Sequence, residues 1–269
     1  MSQVAACAPC RRARPLLGTL VDIQARGTAA AQAVGAAFDQ IAQVQRLMSS
    51  HDRCSDIGRF NAAGVDQPVE MDARTLAVLA VAARLQAESD GAFDCERSAP
   101  GMRIPGGRAW VIEGTEVRKY RPLQLDLGGI AKGYAVDCAI EALGGFDLDY
   151  ALVNAGGDMR HAGTAPATVA LREPGEPACT ALVWRLDNAA LASSSVGGLW
   201  PEPGSAPRID SPHLPDALAA GAGASVLAPS CLLADALTKV VLACRAPDHA
   251  LLARYGARTL LYRDGHSGG

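Results

Sequence analysis

Two glycines and a lysine sit at the centre of Leu125-Asp126-Leu127-Gly128-Gly129-Ile130-Ala131-Lys132-Gly133-Tyr134-Ala135-Val136-Asp137. The pattern predicts a strand that ends at the glycines and a helix that starts after them. Such a junction lets backbone approach a ligand closely and offers it the unpaired amides of the first helical turn, which suits an anion such as phosphate. Lys132 adds a positive charge in that turn, where it opposes the helix dipole. A lysine there either meets an anion or points into water, and spacing leaves both open. Asn154-Ala155-Gly156-Gly157-Asp158 is a second strand-to-glycine run, with the composition of an ordinary tight turn, and Asp90-Gly91-Ala92-Phe93-Asp94 is a third. In Ala234-Asp235-Ala236-Leu237-Thr238-Lys239 the helical period puts a carboxylate and a hydroxyl on one face. A hard cation such as Mg²⁺ takes oxygen ligands of that kind. The same period sets Lys239 four residues after Asp235, where an ion pair worth about 0.3–0.5 kcal/mol forms without any ligand.

These residues need elements to hold them. Residues 17–23 alternate like a strand. Residues 28–48 place Val34, Phe38, Ile41, Val44 and Leu47 at helical spacing. Residues 49–64 are polar with a short helical turn at 57–60, and residues 72–89 form a second amphipathic helix with Asp72 as its N-cap. Short strands are expected at 109–112 and 123–127, then a helix over 130–143 stopped by Gly144-Gly145. Strands follow at 150–153, 168–171, 180–186 and 225–228, and a helix at 231–244. Residues 193–223 are rich in Pro, Gly and Ser and read as surface loop around a binding site. With no internal repeat and no linker between compositional regimes, the chain reads as one mixed α+β domain over residues 15–265, preceded by a flexible tail over residues 1–14.

Composition narrows the partners. The chain has 269 residues, 49% hydrophobic and 20% charged, which supports a core and excludes a disordered protein. With 25 basic against 28 acidic residues the net charge is −3, so a nucleic-acid backbone is not its main partner. No apolar run approaches the roughly 20 residues of a membrane span. Only Lys119, Lys132 and Lys239 are lysines, all other basic residues being arginine, so each lysine is informative. The eight cysteines are scattered and imply a reducing compartment rather than a disulfide frame. Cys7-Ala-Pro-Cys10 is a lone CxxC without a second pair for zinc. Val4-Ala5-Ala6-Cys7 resembles a lipoprotein cleavage box, but a secretory signal needs an apolar region of about 7–15 residues before it. The expected location is cytoplasmic as written, and periplasmic if the true start lies upstream.

Taken together and in order, the runs resemble the ApbE family of FAD:protein FMN transferases. They are Leu17-Gly18-Thr19, Met48-Ser49-Ser50-His51-Asp52 with Ser55 and Phe60-Asn61, Ser89 to Asp94, Asp126 to Asp137, Val153 to Asp158, and Ala234 to Thr238. The resemblance implies an α+β fold, sheet segments with flanking helices, that binds FAD in a cleft. With Mg²⁺ it implies transfer of the FMN half of FAD to a Ser or Thr hydroxyl of a partner flavoprotein and release of AMP. Some relatives instead hydrolyse FAD to FMN and AMP, and a non-catalytic flavin-binding protein is the third reading. Leu17, in place of the family's usual Met, and His51, in place of an aromatic residue, would lie near the flavin. Ala92, Phe93 and Asp94 would line the FAD site, Asp126 and Lys132 would contact the cofactor, and Gly156, Gly157 and Asp158 would form a further cofactor turn. The Gly129 carbonyl and Asp235 would hold the metal.

The chain departs from the family pattern at three places. The late motif His-Ile-x-Asp-Pro-Arg-Thr-Gly survives as His213-Leu214-Pro215-Asp216, without its Pro-Arg-Thr-Gly end. His213 is the expected base for the acceptor hydroxyl, its ordinary pKa being near 6.5. Cys95-Glu96-Arg97-Ser98 replaces a Pro-Thr-like continuation. Lys239 stands at the threonine metal-ligand position, so Thr238 would have to substitute, because an ammonium cannot coordinate Mg²⁺. The charge of Lys239 would then stand in part for that of the metal.

Overall fold

Val21, Ile23 and Ala25 are fully buried, while Leu20 between the turn and Val21 is 62% exposed, the two-residue alternation of a half-buried strand. A computed structural model describes residues 9–97, 108–174, 176–196, 218 and 221–264. Its first half runs β1 (Cys10–Leu16), β2 (Thr19–Gly27), α1 (Ala30–Met48), α2 (Asp56–Ala62), β3 (Val69–Glu70), α3 (Ala73–Glu88), β4 (Glu96–Arg97), β5 (Trp110–Glu113), β6 (Glu116–Lys119) and β7 (Gln124–Leu125). Its second half runs α4 (Ala131–Leu143), β8 (Leu148–Ala155), β9 (Asp158–Gly163), β10 (Ala167–Glu173), β11 (Glu176–Leu186), β12 (Ala190–Ser195), β13 (Gly223–Ala228), α5 (Cys231–Cys244), α6 (Ala250–Arg254) and β14 (Arg258–Arg263).

Seven strands form one antiparallel sheet in the order β1-β2-β8-β9-β12-β13-β14. Helices α1, α4 and α5 cover one face. Their buried positions, such as Val34, Phe38, Ile41 and Val44 on α1, recur at three and four residues and meet Val21, Ile23, Val153 and Val226 of the sheet. The β10–β11 hairpin covers part of the other face through Val169, Leu171 and Leu186, against Leu152, Met159 and Leu191. The mixed α+β architecture expected from the sequence is the one observed.

Several segments differ from the sequence expectation, four of them in the large sheet. The expected tail contributes β1 from Cys10 onward, an edge strand whose Arg11, Arg12 and Arg14 are exposed, so it carries no apolar alternation to reveal it. Arg11 Nε pairs with Asp22 at 2.8 Å, and the Arg14 guanidinium lies 4.5 Å from the Phe38 ring centroid. Strand β12 occupies the start of the expected 193–223 loop, because its serines pair into the ladder with Ser225 and its neighbours. Strand β9 (Asp158–Gly163) follows a two-residue turn with no polar linker to announce it, and β14 extends the sheet beyond the last expected helix.

The helix signals held where side chains cap. Asp72 accepts the amide of Arg74 at 2.8 Å, and Ser55 Oγ accepts that of Gly58 at 2.8 Å. Lys119 is buried with its ammonium donating to the carbonyls of Phe60, Asn61 and Leu123 at 3.0, 3.2 and 3.1 Å, which ties α2 to the segment entering β7. Burial lowers its pKa. Among the described residues the cysteines are free, and no helix is long and apolar enough to cross a membrane.

Candidate active site

Three segments far apart in the chain converge where α4 begins. Strand β7 leads through Asp126 into Gly128-Gly129, and Asp126 Oδ1 accepts the Gly128 amide at 2.8 Å, which fixes the turn. The other oxygen of Asp126 pairs with Arg97. Ile130 caps α4 with no side-chain hydrogen bond, so the positive end of the helix dipole is not neutralised by its own cap. Strand β8 ends in Ala155 and pairs with Asp158 across Gly156 and Gly157, whose φ values are +65° and +104°. That two-residue turn needs left-handed backbone at both positions, which only glycine supplies without strain. Asn154 Oδ1 accepts the Gly157 amide at 2.9 Å. The side chain of Thr19 on β2 lies against Gly156, leaving no room for a Cβ there.

Helix α5 brings the third part. Its Asp235 and Thr238 are fully buried, and Gly133 of α4 donates its amide to Asp235 Oδ2 at 3.1 Å. The two helices touch at Gly133, where any Cβ would lie 2.6 Å from the carbonyl carbon of Cys231 and 2.8 Å from Leu232 N. Asp137, one turn further along α4, accepts the amides of Cys231 and Leu232, each at 2.9 Å, so a side chain of one helix caps the start of the other. Arg160 Nη1 supports it at 2.7 Å.

The charges alternate. Lys132 Nζ pairs with Asp158 Oδ2 and lies 3.6 Å from Asp235 Oδ2, and Lys239 pairs with Asp235 Oδ1. Burial pulls the Lys132 ammonium down, but Asp235 and Asp158 together outweigh it and hold its pKa above the ordinary range. Burial pushes Asp235 up, and the two lysines outweigh that, holding it below the usual carboxylate range. Asp158 goes the other way: burial, with the charge of Asp235 added, pushes it up to about 6. Its Oδ1 is buried without a hydrogen-bond partner among the described residues.

Between an ordinary 3.8 and about 6 the native Asp158 holds more proton than the unfolded one. Its contribution is therefore full below about pH 4 and lost as pH rises through 6. Asp235, with a lowered pKa, loses its contribution only at pH values below that window. Relative to Asp158→Asn, the wild-type chain is expected to lose on the order of 2 kcal/mol between pH 4 and pH 7 in urea denaturation. Parallel pH profiles for the two proteins would contradict this assignment.

Lys239 spends its three donors on Asp235 Oδ1, on the Asp235 carbonyl at 3.1 Å and on Ser194 Oγ at 3.0 Å. Thr238 Oγ1 donates to the Asp235 carbonyl at 2.7 Å, so the 2.7 Å contact between Ser194 and Thr238 has Ser194 as donor. The aliphatic stem of Lys239 passes under the glycine turn: a Cβ on Gly129 would meet Lys239 Cε at 3.6 Å and Phe93 Cε2 at 3.7 Å.

The structure therefore brings Lys132, Asp158, Asp235, Thr238, Gly129, Phe93, Gly156 and Gly157 into one neighbourhood. Ala92 is buried beside Phe93, whose amide is held by Ser89 Oγ at 2.9 Å. Asp94 Oδ1 accepts Gln86 Nε2 at 3.1 Å and the Glu96 amide at 2.8 Å, so that oxygen braces the β4 segment. Leu17 sits at the β1–β2 turn with φ +56°, its amide donating to Gln45 Oε1 at 2.6 Å. Positive φ in a branched residue is strained. The turn and Gln45 border a groove of about 410 Å³ lined by Pro15, Leu16, Gly18, Thr19 and Leu20, and Thr19 joins it to Gly156. His51 is exposed on the turn before α2, its amide on Ser49 Oγ at 3.3 Å. His213 lies outside the described residues. Ser194, Asn154 and Arg97 were not singled out. Ser194 could have been found only by reading the 193–195 serines as a strand facing α5.

The oxygens expected to hold Mg²⁺ do not fit it in this arrangement. A small hard dication needs an open octahedron of oxygens at about 2.0–2.1 Å. Here Asp235 Oδ1 holds the Lys239 ammonium, Oδ2 holds the Gly133 amide and faces Lys132, and the Thr238 hydroxyl is buried between Ser194 and the Asp235 carbonyl. Among the described residues no group of three or more His, Cys, Asp or Glu could hold a metal ion.

Comparison with known proteins bears on the whole arrangement. Two relatives named FAD:protein FMN transferase match: one from Vibrio cholerae, 27% identical over 192 residues, covering 60% of this chain and 58% of that protein, and one from Haemophilus influenzae, 29% identical over 187 residues, covering 56% and 54%. The chain spans a little over half the length of these curated relatives. The fold is shared with the apo flavinyl transferase ApbE of Pseudomonas stutzeri, with a TM-score of 0.74 and 22% identity over 97% of this chain and 95% of that one. It is shared too with the Vibrio cholerae flavin transferase ApbE, with a TM-score of 0.75 and 21% identity over 94% and 92%. The sequence pattern of the ApbE family matches residues 17–100 and 101–259, so the chain belongs to the ApbE family.

Proposed function

We propose that this chain transfers the FMN part of FAD to a Ser or Thr hydroxyl of an acceptor protein and releases AMP. The observation that supports it most is the cluster of Lys132, Asp158, Asp235 and Lys239 at the start of α4, whose N-cap residue offers no side-chain bond, beside two glycine turns, in a member of a family with relatives named for this reaction. A helix N-terminus with lysines beside it receives a pyrophosphate, and the glycines let backbone come close to it. The groove beside the β1–β2 turn, lined by Pro15, Leu16 and Leu20, offers apolar surface for a flat ring.

In the proposed reaction the acceptor hydroxyl oxygen attacks the phosphorus on the FMN side of the pyrophosphate. The new P–O bond forms as the bond to the bridging oxygen breaks, and AMP leaves with that oxygen. The hydroxyl proton passes to a base, a role assigned to His213 from its motif. Little covalent work falls to the protein: it holds the three atoms in line and stabilises charge on the departing phosphate. Lys132, Lys239 and the positive end of the α4 dipole supply that stabilisation from the chain itself.

The test is to incubate the chain with FAD and a hydroxyl-bearing acceptor flavoprotein, following AMP by chromatography and flavin fluorescence on the denatured acceptor. AMP and labelled acceptor in equal amounts are expected. AMP without label would identify an FAD pyrophosphatase, and retained flavin with neither product a flavin-binding protein. His213→Ala is expected to slow AMP release at least about a hundredfold with FAD affinity unchanged; full retained activity would move the base elsewhere.

A further inference from the structure

The cation position of the cluster is filled by the chain itself. An ammonium, not an open set of oxygens, sits on the buried carboxylate of Asp235, and it holds the Asp235 carbonyl and Ser194 Oγ as well. The next oxygen, Thr238 Oγ1, is closed off by Ser194 on one side and the Asp235 carbonyl on the other. The order of donation runs Lys239 to Ser194 to Thr238 to the Asp235 carbonyl, so both hydroxyl protons are committed within the cluster and the series ends on its own helix. A divalent ion placed on Asp235 Oδ1 would have to expel the ammonium or lie against it. The Lys239 side chain is only 19% exposed and its stem lies under Gly129 and beside Phe93, so it has little room to swing away. Its charged end nevertheless lies below the glycine turn that opens α4, the place where an anion meets the helix dipole.

We infer that Lys239 is a built-in replacement for a divalent metal ion: it excludes the ion from Asp235 and supplies the positive charge that a bound pyrophosphate meets there. The role toward a pyrophosphate rests on the flavin-transfer reading; the exclusion of metal does not. The consequence is a site that binds FAD equally well in Mg²⁺ and in chelator.

The experiment titrates Mn²⁺ into the whole chain by electron paramagnetic resonance, without FAD and then with it, and measures FAD affinity by fluorescence in Mg²⁺ and in EDTA. The wild-type chain is expected to bind no Mn²⁺ in the submillimolar range and to hold FAD with the same affinity in both buffers. Lys239→Thr, checked for folding by circular dichroism, is expected to gain one Mn²⁺ per chain and to bind FAD at least about tenfold more weakly in EDTA than in Mg²⁺. Wild-type uptake of Mn²⁺, or a folded Lys239→Thr that takes up none, would overturn the inference. If Lys239→Thr does not fold, Lys239→Met decides: FAD binding lowered about tenfold in both buffers sustains the inference, and unchanged binding overturns it. Failure of the wild-type chain to bind FAD in either buffer would refute the functional reading, while the Mn²⁺ titration still decides the exclusion of metal.

Discussion

Replacing Lys132 with methionine is expected to destabilise the fold by about 3–5 kcal/mol at pH 7 and to abolish binding of an anionic ligand. The side chain stands between Asp158 and Asp235, which are 1% and 0% exposed. Methionine fills nearly the same volume, so loss of packing contributes little. What remains is two buried carboxylates with one ammonium, that of Lys239, paired to Asp235 alone. Asp158, already raised in the wild type, is then raised further, and Asp235 loses the charge that does most to hold it down, so the native state binds more protons than the unfolded state and stability recovers as pH falls from 7 towards 5. Urea denaturation at the two pH values checks this. A variant as stable as wild type at pH 7, or one that gains nothing on acidification, would show that Lys132 does not hold the two carboxylates apart.

Gly133→Ala is the second large effect. The added methyl carbon has nowhere to go, because it points at the backbone of Cys231 and Leu232 rather than at a flexible side chain. Helices α4 and α5 must separate, and the overpacking is expected to cost about 3 kcal/mol or more. The separation also takes the Gly133 amide away from Asp235 Oδ2 and Lys132 away from Asp235, so FAD affinity falls with stability. Gly129→Ala makes the contrast: its Cβ meets Lys239 and Phe93 at ordinary van der Waals distances, and its stability is expected to stay within about 0.5 kcal/mol of wild type. Thermal melts of the two variants side by side measure the difference. Equal melting temperatures would mean that α4 and α5 accommodate a methyl group that the present packing excludes.

Much of the scaffold was readable in the residues because burial imposes a period. Helix α3 showed both its Asp72 cap and its apolar face, and α1, α4 and α5 were found within about two residues of their observed ends. Two of the strands that escaped carry polar residues where apolar alternation would have marked them. Strand β1 is an arginine-rich edge, and β12 ends in three serines. The site divides in the same way. The pairing of Asp235 with Lys239 is local, four residues along one helix, and could be read directly. That Lys132 bridges Asp158 and Asp235 could not, since three elements distant in sequence must first pack. The family resemblance pointed to Lys132, Asp158 and Asp235 as cofactor or metal contacts and to Lys239 as a departure at a metal-ligand position, and said nothing of how they pair with one another. Ser194 was hidden for a further reason: its importance comes from the strand face it occupies, and the residues around it have the composition of a loop.

The carboxylate of Asp137 on the first amides of α5 has a bearing on ligand affinity. Because α4 both caps its neighbour and abuts it at Gly133, the lysine on one helix and the aspartate on the other are set in place during folding. In the site proposed above, an arriving ligand would encounter a preorganised pair of charges, with little loss of segmental freedom in these two helices deducted from its binding free energy. Selectivity in that proposed site would come from rigidity, since neither helix would move to follow an anion of the wrong length.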